Sequence, residues 1–278
     1  MEPFSPLATY ATIDYLFTLT DFTFLINLKV KETNMKNAEN YFYMVEQTPW
    51  GKLFYDIVFA QLTEHTTTHL KILDFGSGLG KTANHYAKHH QVYAYEPDLD
   101  ILEYAYTDHD YLQLTMDFTA FMRYLTDHKL SFDLILCHNV LDYIENQEEV
   151  ILSLSKCLTS KGKLSVIKHQ ELGHLVNDAV FNDDPQLVLK KLDGLPTQTS
   201  FGKINYCTQE ELSQWLSTDS IDLIDVMGIR NFYALSQNNQ IKYTENWYKN
   251  MLELELRVCK DATFIPLAFF NHLIFQKK

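Results

Sequence analysis

The sequence predicts an α/β protein whose mostly parallel sheet is covered on both faces. Two observations carry this: short apolar runs alternate with helical stretches across residues 70–167, and a glycine turn joins the first run to its helix. Leu70-Lys71-Ile72-Leu73-Asp74-Phe75 reads as the first strand, and residues 81–89 as the helix after the glycines. Val92-Tyr93-Ala94-Tyr95 is the second strand, followed by a short helix through Leu99, Leu102 and Tyr106. Residues 111–115 form a third. Phe132-Asp133-Leu134-Ile135-Leu136-Cys137 is a fourth, with a helix over 147–158. Ser160-Lys161-Gly162-Lys163 turns into a fifth, Leu164-Ser165-Val166-Ile167.

Flanking segments complete the plan. Residues 41–61 are helical, broken at Thr48-Pro49-Trp50-Gly51. Residues 175–181 and 185–192 have helical patterns, and Thr208-Gln209-Glu210-Glu211 is a capping box opening a helix through Leu212, Trp215 and Leu216. Residues 221–226 and 264–275 read as further strands. Between them Trp247, Met251, Leu254 and Val258 form one apolar stripe on a long helix. The expected organisation is a single domain over 35–278, with a helical insert at about 169–218. Residues 1–34 form an extension, rich in Thr and aromatics and lacking helical periodicity.

Composition narrows the function. A formal net charge of −13 argues against a broad phosphate-neutralising face and suits a soluble cytoplasmic protein, although a local basic patch stays open. Aromatics make up 14% of the chain, enough to wall a cleft with flat apolar surfaces. Cys137, Cys157, Cys207 and Cys259 have neither zinc-site nor disulfide-framework spacing, so reduced thiols and no metal are expected. The apolar stretch over 15–30 is interrupted by Asp21, Asn27 and Lys29, which fits neither a signal peptide nor a membrane span.

The chemistry concentrates at Leu73-Asp74-Phe75-Gly76-Ser77-Gly78-Leu79-Gly80. Glycines at a strand-to-helix junction let the backbone turn sharply and approach a ligand closely. The nicotinamide fingerprint needs its third Gly where Lys81 stands; here the spacing is G-x-G-x-G, with the Gly one residue early at Gly80. Glu96 ends the second strand 20 residues after Gly76, where an acid can accept hydrogen bonds from both ribose hydroxyls of an adenosine. A solvated strand-end acid is the alternative for Glu96.

This combination resembles the class I S-adenosylmethionine-dependent methyltransferases, over roughly residues 41–278. The acidic loop Met116-Asp117-Phe118 looks like the family's adenine-flanking loop. Cys137-His138-Asn139-Val140-Leu141-Asp142-Tyr143-Ile144 has the form of its motif after strand four. Residues 158–164 resemble its "L-x-P-G-G-x-L" turn with Ser-Lys-Gly in place of Pro-Gly. The resemblance implies a Rossmann-like, seven-stranded, mostly parallel sheet with an antiparallel last strand. It also implies S-adenosyl-L-methionine held by Asp74, Gly76, Ser77, Gly78, Gly80, Glu96, Pro97, Asp117, Phe118 and His138. Gly228-Ile229-Arg230-Asn231-Phe232 and residues 252–259 look like the tail of the bacterial tRNA 5-carboxymethoxyuridine methyltransferases, as does a Gly-His pair, Gly173-His174, in the insert. That narrower likeness implies a tRNA wobble-uridine carboxylate as acceptor.

An ionised carboxylate needs cationic clamps rather than a base, a role suiting Arg230 and Arg257 through bidentate pairing; structural ion pairs are the alternative for both. A hydroxyl or amine acceptor would instead use a base, for which His138 stands at the end of strand four; packing against the cofactor or helix capping would equally account for it. His169 and His174 are substrate-side candidates, and Trp50, Gly51, Lys52 and Tyr55 candidates for a lid, with ordinary helix packing as the alternative for Trp50 and Tyr55. Two other functions compete with the tRNA reading: a small-molecule O- or C-methyltransferase, and a cofactor-binding module without catalysis.

Overall fold

The computed structural model describes residues 37–66, 69–199 and 201–278; the expected extension over 1–34 lies outside them. The strands are β1 (Lys71–Phe75), β2 (Gln91–Tyr95), β3 (Leu112–Leu114), β4 (Phe132–His138) and β5 (Leu158–His169). A short hairpin follows, β6 (Gln198–Thr199) and β7 (Gly202–Lys203), and then β8 (Ile221–Ile229) and β9 (Phe270–Lys277). Seven strands form one sheet in the order β3-β2-β1-β4-β5-β9-β8. β1 to β5 pair in parallel, and β9 runs antiparallel between β5 and β8.

Helices cover both faces: α1 (Asn37–Gln47), α2 (Pro49–Leu62), α3 (Lys81–Ala87), α4 (Leu99–Leu102), α5 (Phe118–Asp127), α6 (Gln147–Lys156), α7 (Glu171–Val180), α8 (Pro185–Leu192), α9 (Gln209–Ser217) and α10 (Glu245–Val258). Strand alternation divides the core. Ile72, Leu134 and Leu136 face α2 residues such as Leu53 and Ile57. Leu73, Ile135 and Cys137 face Phe121 of α5, Ile151 of α6 and Leu212 of α9. With both faces buried, β1 and β4 are apolar almost throughout.

Several elements depart from the sequence expectations. The break between the first two helices is a clean restart, with Thr48 as N-cap and Pro49 in the first turn of α2. The last strand begins at Phe270 rather than 264, because Ile265–Leu267 closes a 3-10 turn around Pro266, whose missing N–H cannot join a ladder. α5 and the β6–β7 hairpin went unread in the sequence. α7 starts at Glu171, four residues ahead of the expected helix.

The stripe of α10 is also rotated. Leu254 is exposed, while Glu255 is fully buried between the partly buried Met251, Leu252 and Leu256. Its carboxylate accepts from the backbone N–H groups of Asn231, Phe232 and Tyr233 at 2.7–2.8 Å. That anchor sets which face of the helix turns inward.

Candidate functional site

The sheet order reverses between β1 and β4, since β1 continues outward to β2 and β4 inward to β5. A crevice opens at the carboxyl ends of strands at such a point. Here it is a cavity of about 850 Å³ bordered by the glycine turn, the ends of β2, β4 and β5, and α2.

The turn is held rigidly. Gly76 and Ser77 both donate to the Tyr95 carbonyl, at 2.8 and 2.9 Å. Gly78 N–H donates to Glu96 Oε2 at 3.0 Å, and Asp98 N–H donates to Oε1 at 2.9 Å. Gly76, Gly78 and Gly80 all have positive φ, at 71°, 53° and 73°. Gly80 is left-handed as the N-cap of α3, and a Cβ there would stand 2.4 Å from the Tyr111 hydroxyl.

Three buried polar atoms beside the turn have no hydrogen-bond partner among the described residues: Asp74 Oδ2, Ser77 Oγ and Asn139 Oδ1. Such atoms are rare in native proteins unless a ligand completes them. Burial pushes the Asp74 carboxyl up to about 7 against a hydrogen bond from Ala83 N–H, with nearby Glu96 adding to the rise. Burial also raises Glu96 above the usual carboxylate range. This polar cradle fits S-adenosylmethionine, which brings hydroxyls, an amino group and a cationic sulfonium.

Much of the remaining cavity lining is aromatic. Tyr41, Trp50, Phe54, Tyr55, Tyr143, Phe201 and Phe270 all line it. The Phe201 ring meets Tyr41 edge-on at 5.3 Å and Tyr143 at 6.0 Å. The charged side chains lining the cavity among the described residues are all carboxylates: Asp74, Glu96, Glu145 and Glu149.

Two histidines also line the cavity. The His138 Nε2 lies 2.8 Å from Ser165 Oγ, and burial pushes the ring down to about 3. His169 contacts the Tyr143 hydroxyl at 3.2 Å and His174 Nε2 at 2.7 Å. Burial first, then Arg230 and Lys168, push His169 down to about 3 as well. Both rings are therefore neutral near pH 7.

Of the residues singled out in the sequence, Trp50, Tyr55, Asp74, Gly76, Ser77, Gly78, Glu96, Pro97, Phe118, His138 and His169 border the cavity. Others lie elsewhere. Arg257 is exposed on α10, paired with Glu253 one turn away. Arg230 is buried with its guanidinium carbon 4.8–5.8 Å from the ring centres of Phe269, Tyr233, Trp50 and Phe270, behind the cavity wall. Lys52 pairs with Asp56 and covers the Tyr248 ring. Asp117 caps α5 by accepting from Ala120 N–H. Gly80 serves the α3 terminus, and His174 backs His169 from outside the cavity wall.

Sequence reasoning did not single out Asn139 and Tyr143 individually, although both stand inside the quoted segment after strand four. Ser165 and His272 left a fainter signal, as polar residues within otherwise apolar strands. Tyr41 and Phe201 left none.

Comparison with known proteins agrees with this geometry. Residues 73–164 match the family described as "Methyltransferase domain". A tRNA 5-carboxymethoxyuridine methyltransferase of Escherichia coli K12 is 24% identical over 252 residues, covering 86% of this chain and 94% of its own. Among solved structures, the plantazolicin methyltransferase in complex with SAH has a TM-score of 0.53 at 13% identity, over 97% of each chain. The magnesium protoporphyrin IX methyltransferase of Synechocystis PCC 6803 with bound SAH has a TM-score of 0.51 at 15% identity, over 89% of this chain and 90% of its own. Glycine turn, strand-end acid, sheet order and matched domain converge: the chain is an S-adenosylmethionine-dependent methyltransferase of the class I, Rossmann-like fold.

Proposed function

We propose that this enzyme methylates a small, flat acceptor through a hydroxyl or amine, held between the aromatic walls beside His138. The observation that carries this reading is the cavity wall itself, where aromatic rings predominate and the charged groups are carboxylates. Such a wall attracts neutral or cationic rings and opposes an anionic acceptor. In this reading Glu96 faces the ribose hydroxyls, and Asp74, Ser77 and Asn139 complete the amino-acid end of the cofactor. Gly76, Gly78, Pro97 and Phe118 shape its bed. The cofactor supplies an electrophilic methyl group on a cationic sulfur. The protein holds the acceptor in line and excludes water, and such positioning contributes on the order of 7–11 kcal/mol. We read residues 35–278 as one catalytic unit, in which the insert over 169–218 contributes Phe201 to the wall.

A second reading, esterification of a carboxylate on a tRNA wobble uridine, is supported by the 24% identity to the Escherichia coli enzyme over 252 residues. It requires a cationic partner for the carboxylate. Arg230 lies behind the rings and Arg257 on the outer face of α10, so neither stands where that reading needs it.

The full chain, incubated with methyl-labelled S-adenosylmethionine, tests the choice. Phenols, catechols and arylamines form one panel; tRNA bearing 5-carboxymethoxyuridine forms the other. Label is expected in the small-molecule panel. Label confined to the tRNA overturns the first reading in favour of the second.

A further inference from the structure

A chain of buried hydrogen bonds runs from His138 into the sheet and ends on a backbone carbonyl. Gln61 Nε2 donates to the Gly228 carbonyl at 3.0 Å. A carbonyl only accepts, so the Gln61 amide group faces it and Oε1 faces the other way. That oxygen lies 2.7 Å from His272 Nδ1, which must therefore carry the proton. His272 is fully buried, and burial holds its ring well below the ordinary range, so it is neutral and its Nε2 is an acceptor. Ser165 Oγ, 2.7 Å away, consequently donates to His272. Having given its one proton inward, Ser165 accepts from His138 Nε2–H at 2.8 Å.

The last link fixes the tautomer of His138. With the proton on Nε2, the lone pair sits on Nδ1; the hydrogen bond the ring makes among the described residues is through Nε2, and the side chain lines the cavity. We propose that Gln61, His272 and Ser165 are positioning residues that hold His138 as its Nε2–H tautomer, so that Nδ1 receives the proton of the methyl acceptor. This rests on the hydroxyl or amine reading given above.

The step balances without a further reactant. The acceptor's O–H or N–H gives its proton to Nδ1 as its lone pair forms the bond to the methyl carbon. The carbon–sulfur bond breaks, and its electron pair stays on sulfur as a neutral thioether. A weakly basic imidazole is adequate here, because an oxygen or nitrogen acquiring a methyl group becomes strongly acidic as the bond forms. A ring that stays neutral beforehand also places no second positive charge beside the sulfonium.

Ring-nitrogen NMR on histidine-labelled full-length protein tests the tautomer, with His138 assigned by a His138→Gln variant. The wild type is expected to show Nε2–H. Ser165→Ala should give a mixture of tautomers and a roughly tenfold slower transfer to the fastest acceptor of the panel, with cofactor affinity unchanged by calorimetry; loss of the base itself costs on the order of 10²–10⁴. Gln61→Met keeps the volume at the far end of the chain and should also mix the tautomers, which decides the matter if Ser165→Ala does not fold. An Nδ1–H wild type, or variants that keep both tautomer and rate, overturns the proposal. The NMR measurement needs neither cofactor nor acceptor, so a wrong acceptor class leaves it standing.

Discussion

Asp74 is a carboxylate with the protonation habits of a group near neutrality. Its folded-state pKa of about 7 lies above the ordinary 3.8, because burial disfavours its charge. Between these values the folded protein keeps a proton that the unfolded chain has released. Stability therefore falls as pH rises from about 4 to about 7 and levels off above. Roughly three units of difference correspond to at most ~4 kcal/mol. Asp74→Asn removes this effect. Its melting temperature should match wild type below about pH 4 and exceed it at pH 8, as read by scanning fluorimetry. The same variant should bind S-adenosylmethionine more weakly at pH 8, by ~1.5–3 kcal/mol, for want of a charged acceptor. Equal melting curves at both pH values, or undiminished binding, would show that Asp74 is not a strained carboxyl awaiting a cation.

Among the elements, α10 and the loop after β8 explain how far the sequence could be read. Strand identities, the Thr208 capping box and the glycine turn were legible because each is set by local pattern. Segments 228–232 and 252–259 were legible only as resembling one family's tail, with Arg230 and Arg257 as candidate carboxylate clamps or structural ion pairs. The structure joins them through Glu255 instead, whose carboxylate takes three backbone amides of the loop. No periodicity announces that an acid in an amphipathic helix faces inward. The same holds for Phe201 on its short hairpin and for the Gln61–His272–Ser165 chain, whose members meet only through long-range packing. Glu255→Ala leaves three amides without their acceptor in a buried place and should cost on the order of 3 kcal/mol in urea unfolding. Arg257→Ala removes an exposed ion pair one turn apart and should change stability by less than ~0.5 kcal/mol, with methyl transfer unaltered. If instead Arg257→Ala stops transfer while its melting curve is unchanged, the arginine belongs to the acceptor site after all.

At the scale of the whole molecule, charge discriminates between the acceptors. Lys and Arg number 23 against 36 Asp and Glu, and the cavity continues that acidity inward with four carboxylates at its wall. A polyanion approaching this surface meets net repulsion. A nucleic-acid-binding face neutralises several phosphates, releases their counterions and shows affinity that falls steeply with salt. For this chain, unfractionated tRNA should bind more weakly than ~10⁻⁴ M near physiological salt, with a logarithmic salt slope of magnitude below about 2. Fluorescence anisotropy with end-labelled tRNA across a salt series measures both quantities. S-adenosylhomocysteine should be present throughout, so that the cofactor site is filled. Micromolar binding with a slope of several units would mean that local cations gather into a phosphate-binding face despite the overall charge. The wobble-uridine reading would then replace the small-acceptor one, with the aromatic walls receiving an extruded base.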